Sequence, residues 1–234
     1  MISLPSPIPQ HPHVAGAPEI AASLARHYPT PFLRHYTYWK VRTDPLYPAV
    51  WDILSSAPAE LPILDLGCGA GMLAFYLRAH GYTAPIVGVD SDQKKIAVAQ
   101  QIATLHQPSP IFTAADYRHL PPHSPGHVTL LDVLQYVPRA DQLQLITALL
   151  PHIAPNGGTL IIRNTLLDDT WRSHVSLAAD HFARWVRWMR SPPLEYPDRE
   201  ELSQTLESMG LRTRFQPLWG ATPFNNYLIV ATRD

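Results

Sequence analysis

From about residue 58 the chain alternates short unbroken runs of Ile, Val and Leu with longer stretches whose apolar residues recur at helical spacing. The runs are PILDL (62–66), PIVGVD (85–90), PIFTAA (110–115), HVTLLDV (127–133) and GTLIIRN (158–164). Runs of this length without polar alternation suit strands of a parallel sheet covered by helices on both faces. Between them, 71–80, 92–106 and 139–153 read as helices. This β-α repetition predicts a doubly wound, Rossmann-like α/β domain. The rhythm then changes: a helical insertion at about 165–197, rich in Arg and Trp over 168–190, precedes a helix at 198–209 and strands at 211–219 and 225–232. Only GATPF separates the last two strands. That link is too short for a helical crossover, so the pair is expected to form an antiparallel hairpin.

Ahead of the alternation, 19–57 reads as an N-terminal helical cap in two pieces, broken around Tyr28–Pro31, and 1–18 as a flexible Pro-rich arm. The 25 prolines in 234 residues are about twice the usual ~5% share, and many stand at segment borders, where a fixed φ and a missing N–H stop regular structure. A 46% hydrophobic content is enough for one domain with a substantial core. A net charge of −1 gives no basic field for a phosphate backbone, so nucleic acid is not the expected partner. The single cysteine, Cys68, cannot close an internal disulfide, which suits a reducing compartment. The first residues lack a basic and apolar leader pattern, and no apolar run approaches the ~20 residues of a spanning helix. The expected location is cytoplasmic, without integral membrane association.

Chemistry concentrates in ILDLGCGAGMLAFYL (63–77), where an acid and three alternating glycines follow a strand. In open α/β sheets ligands sit beyond the carboxyl ends of the strands, and glycines there let the backbone turn tightly and approach a ligand. A glycine turn alone also fits a dinucleotide site. That site wants G-x-G-x-x-G, and its last position here is Met72, with Gly71 one place early.

The stretch resembles motif I, D-x-G-x-G-x-G, of the class I S-adenosylmethionine-dependent methyltransferases, met by Asp65, Gly67, Gly69 and Gly71. Further resemblances follow in order: GVDSD with Asp90, TAADYRHLP with Asp116, LLDVLQYVP with Asp132, and LLPHIAPNGGTLII before the fifth strand. Five motifs in sequence, over about 60–165, are more specific than any one. The resemblance implies a seven-stranded sheet with helices on both faces over 58–234, and S-adenosyl-L-methionine as cofactor. It implies that Asp65, Gly67, Cys68, Gly69 and Gly71 seat the cofactor's methionine end, with Cys68 packing in the turn and no nucleophile. Asp90, with Ser91 beside it, would hold the ribose diol; Asp116 would accept from the adenine amine, with Tyr117 beside the ring; and Asp132 would touch the cofactor's amino end, help the acceptor, or only order the loop. Arg42 and Lys40 are expected to meet the cofactor carboxylate, with Tyr38 or Tyr36 walling the pocket.

The reaction so implied is direct methyl transfer, with S-adenosyl-L-homocysteine as product and no metal. Candidates for a proton-handling role are His119, Tyr136, His174 and His181, since histidine titrates near neutral pH. No NPPY-type sequence follows the fourth strand, which argues against planar-nitrogen acceptors. The helix SHVSLAADHFARWVRWMR sets Ala178, Phe182, Trp185 and Met189 at helical spacing, with Arg184, Arg187 and Arg190 elsewhere on the turn. It reads as a packed helix with a solvated arginine face, as a lid, or as a membrane-surface contact. The expected acceptor is small and apolar, aromatic or acyl, free or carrier-bound, and methylated on oxygen or carbon. A nucleotide-dependent oxidoreductase of the NAD type and a non-catalytic cofactor-binding partner subunit are the alternatives.

Overall fold

The computed structural model describes residues 18–120, 122–166, 195–219 and 225–233. Three N-terminal helices, α1 (Pro18–Ala25), α2 (Pro31–Thr43) and α3 (Leu46–Ser55), precede the sheet. The strands are β1 (Ile63–Leu66), β2 (Ile86–Asp90), β3 (Ile111–Ala114), β4 (His127–Leu131), β5 (Thr159–Thr165), β6 (Leu211–Pro217) and β7 (Asn226–Arg233). Helices α4 (Met72–Ala79), α5 (Gln93–Ala103), α6 (Arg139–Leu149) and α7 (Arg199–Ser208) complete the described elements. The sheet has seven strands in the order β3-β2-β1-β4-β5-β7-β6. β1 to β5 run parallel, and β7 enters antiparallel between β5 and β6. The doubly wound sheet and its C-terminal hairpin are as the sequence predicts.

Composition explains why the last strand lies inside and the one before it at the edge. β7 is buried along most of its length, whereas β6 carries Arg212 and Arg214 in an alternating pattern that suits an edge and discourages further pairing. Neighbouring side chains of each central strand enter opposite layers. Ile63, Ile86, Phe112 and Ile161 pack with α1 to α5; Leu64, Val89, Leu130, Leu160 and Ile162 pack with α6 and α7. Continuous apolar runs are therefore required in β1, β4 and β5, which are covered on both faces, whereas Ile111 of the edge strand β3 is 62% exposed.

The N-terminal helical stretch divides into three helices, where the sequence suggested two. Pro45 pushes the residue before it out of helical geometry, and Asp44 adopts φ −81°, ψ 119°. Its carboxylate then accepts from the Leu46 N–H at 3.0 Å and starts α3. Pro151 likewise turns the end of the predicted 139–153 helix into a short 3-10 turn over Leu150–His152. The arm at 1–17, the Arg- and Trp-rich stretch with His174 and His181, and the GATPF link lie outside the described residues. Among the described residues no helix is long and apolar enough to cross a membrane.

Strand order reverses between β1 and β4, so the crevice beyond their carboxyl ends is where a ligand is expected. At the opposite end of these strands the fit is tight. A Cβ added at Gly126 would overlap the Pro62 carbonyl oxygen, which accepts from the His127 N–H at 2.7 Å. Gly126→Ala is expected to cost ~3 kcal/mol of stability by forcing β4 away from the chain leading into β1, read as an earlier midpoint in urea or thermal unfolding.

Candidate functional site

Three glycines shape the turn that leaves β1. Gly67, Gly69 and Gly71 have φ of +80°, +55° and +78°, the left-handed region that side chains resist. Two of them are also closed in by neighbours. A Cβ on Gly67 would overlap Val133 Cγ2, and one on Gly71 would stand 2.8 Å from Phe112 Cζ and 2.9 Å from Phe75 Cε2. Gly69 differs, since a Cβ there would meet only Lys95 Cδ, at 4.0 Å. The turn is thus packed at its ends and bare at its middle, where backbone is open to a ligand.

The turn is tied to β2 through Asp90, which ends that strand. One oxygen accepts from the Gly69 N–H at 2.8 Å and the other from the Asp92 N–H at 2.8 Å. Each oxygen keeps a further lone pair, so a carboxylate fixed this way can still receive two hydroxyl donors. Cys68 packs under the turn beside Gly88, and burial pushes its thiol well above the usual range. A neutral, buried thiol is no nucleophile. Ser91 follows Asp90 at the surface.

Asp65 is buried at 3% exposure and accepts from Thr129 Oγ1 at 2.6 Å. Burial pushes its carboxyl up to about 6; the Thr129 hydroxyl opposes that shift and the Asp90 charge adds to it. Asp44, with a side chain 10% exposed, has a carboxyl held at about 2. Burial alone would raise it, but the Arg163 guanidinium and the Lys40 ammonium prevail. Arg163 on β5 has a side chain only 4% exposed. Its Nη1 donates to both Asp44 oxygens at 2.9 Å, while Nε donates to Asp132 Oδ1 at 2.8 Å and Nη2 to Asp132 Oδ2. Lys40 Nζ lies 2.7 Å from Asp44 Oδ2. Asp132, just past β4, is the described non-glycine residue with a positive φ, +58°.

The sequence-derived candidates fall into three groups. Asp65, Gly67, Cys68, Gly69, Gly71, Asp90 and Ser91 gather at the tips of β1 and β2, with Asp132 across the crevice at the tip of β4. Asp116 and Tyr117 follow β3: Asp116 accepts from the Arg118 N–H at 3.0 Å, and the Arg118 guanidinium stacks 4.9 Å over the Tyr117 ring. His119 closes the same turn, and Tyr136, 39% exposed, ends the short 3-10 turn after β4. Tyr38 and Arg42 lie on α2, where Tyr38 is half-buried edge-on to Trp39 at 5.3 Å. The remaining histidines of interest lie elsewhere: His127 is buried at the start of β4, and His123 stacks on His152 at 4.3 Å.

Sequence reasoning did not single out Thr129, Asp44, Arg163, Tyr28 or Tyr47. Tyr28 donates its hydroxyl to the Ala70 carbonyl at 3.1 Å, and Tyr47 donates to Met72 Sδ at 3.8 Å, so the N-terminal helices rest on the glycine turn. A signal for Arg163 existed: the one cation in LIIRN, beside an apolar run that reads as a buried strand, needs carboxylate partners.

Residues 63–157 match the family model described as a methyltransferase domain. Over that segment the chain is similar to methyltransferase domains. The family's cofactor is S-adenosylmethionine. Among curated relatives, carboxy-S-adenosyl-L-methionine synthase of Actinobacillus pleuropneumoniae is 33% identical over 99 residues, 41% of each chain. A ubiquinone biosynthesis O-methyltransferase of Rickettsia conorii is 26% identical over 141 residues, 59% of this chain and 46% of that protein. The chain thus spans less than half the length of these two curated relatives. Among solved structures, magnesium protoporphyrin IX methyltransferase from Synechocystis with bound SAH superposes with a TM-score of 0.60 at 22% identity, over 81% of this chain and 82% of that one. The chain therefore shares its fold with that protein.

Asp65 yields a prediction with a definite sign. A folded carboxyl at about 6, above its ordinary 3.8, binds protons that the unfolded chain has lost, so its contribution to stability is present below about pH 4 and disappears as pH rises through about 6. Asp65→Asn keeps an acceptor for Thr129 and removes the charge. It is expected to raise unfolding free energy at pH 7 by ~1–3 kcal/mol and to flatten the pH dependence between about 4.5 and 7, measured by urea unfolding.

Proposed function

We propose that this domain binds S-adenosylmethionine at the tips of β1, β2 and β3 and transfers its methyl group to a small apolar or aromatic acceptor, on oxygen or carbon. The observation that carries the reading is the glycine turn hydrogen-bonded to Asp90, with Gly69 bare in the middle. In this reading the Asp90 carboxylate receives the ribose diol, and its charge rejects a 2′-phosphate. Asp65 faces the positively charged methionine end, where a cation offsets the cost of a buried carboxylate. Asp116 and Tyr117 flank the adenine, and Arg42 with Tyr38 are the proposed contacts from α2.

When bound, the cofactor supplies an electrophilic methyl on a sulfonium. The chain's own part is to align and to exclude water, since no covalent intermediate is needed and Cys68 is held as a neutral thiol. His119, Tyr136, His174 and His181 are the proposed proton-handling candidates. A small organic acceptor is supported by relatives such as the ubiquinone biosynthesis O-methyltransferase and by aromatic side chains open to solvent on α2, with Phe32 at 56% and Trp39 at 48% exposure. An acyl or carrier-bound acceptor and a cytoplasmic setting remain part of the proposal. The dinucleotide alternative loses support because the position of its last glycine is Met72, the first residue of α4, within the segment matched by the methyltransferase model.

Titration calorimetry tests this directly. The full chain is expected to bind S-adenosylhomocysteine and not NAD, and Asp90→Ala is expected to weaken that binding at least ~10-fold through loss of charge-assisted hydrogen bonds. Absence of binding by folded wild-type protein refutes the reading. Mass spectrometry of phenol and acyl acceptors incubated with enzyme and cofactor separates a transferase from a non-catalytic partner subunit.

A further inference from the structure

Arg163 touches neither the glycine turn nor any of the acids proposed for the sugar and base. It nonetheless connects two structures that do touch the turn. On one side, its Nε and Nη2 take both oxygens of Asp132, and the Asp132 N–H donates to the Arg163 carbonyl at 2.7 Å. These bonds hold Asp132 at a φ of +58°, a left-handed conformation that Asp tolerates better than most non-glycine residues. The next residue, Val133, is the one that fills the space beside Gly67, so closely that a Cβ on Gly67 would overlap it. On the other side, Nη1 takes both oxygens of Asp44, the residue that closes α2 and starts α3. Three residues on, Tyr47 reaches Met72 at the first position of α4 and packs against the Tyr76 ring at 5.4 Å.

We propose that Arg163 is a positioning residue for the cofactor turn, its one guanidinium holding the loop after β4 through Asp132 and the N-terminal helices through Asp44. This rests on the cofactor reading above and adds to it that the two walls of the site are set together. A planar fork with donors on three nitrogens can serve two carboxylates at once; a lysine ammonium cannot match both geometries. Asp132, oriented by Arg163, shapes the site through Val133.

A double-substitution cycle decides the matter, because Asp44 and Asp132 belong to separate elements and meet through Arg163. Asp44→Asn and Asp132→Asn are each expected to weaken S-adenosylhomocysteine binding about 10-fold, and the double variant to be no weaker than about the worse single one, since either change releases the same clamp. Fold-changes that multiply, or singles that bind as wild type does, overturn the proposal. Circular dichroism and a cooperative melt establish that each variant is folded. Amide hydrogen exchange on unliganded protein gives a second readout that a local structural role does not move. Asp44→Asn, a change within the N-terminal helices, is expected to raise exchange in 133–136, and unchanged exchange there overturns the clamp. That measurement stands if Asp132→Asn fails to fold. It also stands if wild-type protein binds no S-adenosylhomocysteine, a result that refutes the cofactor reading and leaves the clamp to the exchange data.

Discussion

The site rests on a backbone path that only glycine follows without strain. Three alternate residues after β1 take positive φ, and at two of them the missing Cβ is replaced by a neighbour: Val133 from the loop after β4, and Phe112 from β3 with Phe75 from α4. Strands that are distant in sequence therefore meet at one short turn. Phe112 also fills the space left by Gly88 on β2, so the same ring sets how closely β2, β3 and the turn approach. Because interiors pack at near-crystal density, a change at any of these contacts is passed to the others. Gly69 stands apart, and its openness marks the place where the packing is left for something else to complete.

Electrostatics at this end of the sheet follows from how each buried acid is partnered. Asp65 is buried and Asp44 largely so, yet one carboxyl sits at about 6 and the other at about 2. A neutral hydroxyl is the partner of Asp65, and one hydrogen bond does not offset desolvation. Asp44 has a guanidinium and an ammonium, and two cations do. The domain thus carries a costly charge beside the glycine turn and well-compensated charges in its supporting layer. Carrying strain where a ligand can relieve it, and relieving it elsewhere within the fold, is the arrangement expected of a binding site.

Much of this was legible from residues alone. The apolar runs in 62–66, 85–90, 127–133 and 158–164 correspond to β1, β2, β4 and β5, because a strand covered on both faces leaves a contiguous signal, and 110–115 corresponds to the edge strand β3, where Ile111 is 62% exposed. The glycine turn was visible from its spacing after a strand, and Asp65 and Asp90 from the motifs of the family that stretch resembles; the structure gathers them at the tips of β1 and β2. The third N-terminal helix was not foreseen, although Asp44-Pro45 carries the cause. Tyr28, Tyr47 and Thr129 were hidden for a different reason. Their roles depend on contacts across 42, 25 and 64 residues, and nothing in their own neighbourhoods announces such partners.

Arg163 lies between these cases. Its oddity is visible in LIIRN, but its partners are 31 and 119 positions away and come into reach only when β4 and β5 pair and α2 ends where it does. Stability is a poor explanation for placing a cation there. Burying ions costs several kcal/mol each, and well-packed apolar residues of similar size often serve as well or better. What apolar packing does not supply is direction. A guanidinium with two carboxylates at fixed angles specifies where a loop and a helix junction stand relative to one another, and a left-handed Asp132 next to a turn with no room for a Cβ needs that specification. The charge network is best understood as geometry imposed on the glycine turn, at a cost in desolvation that the extensive apolar layers on both faces of the sheet can sustain.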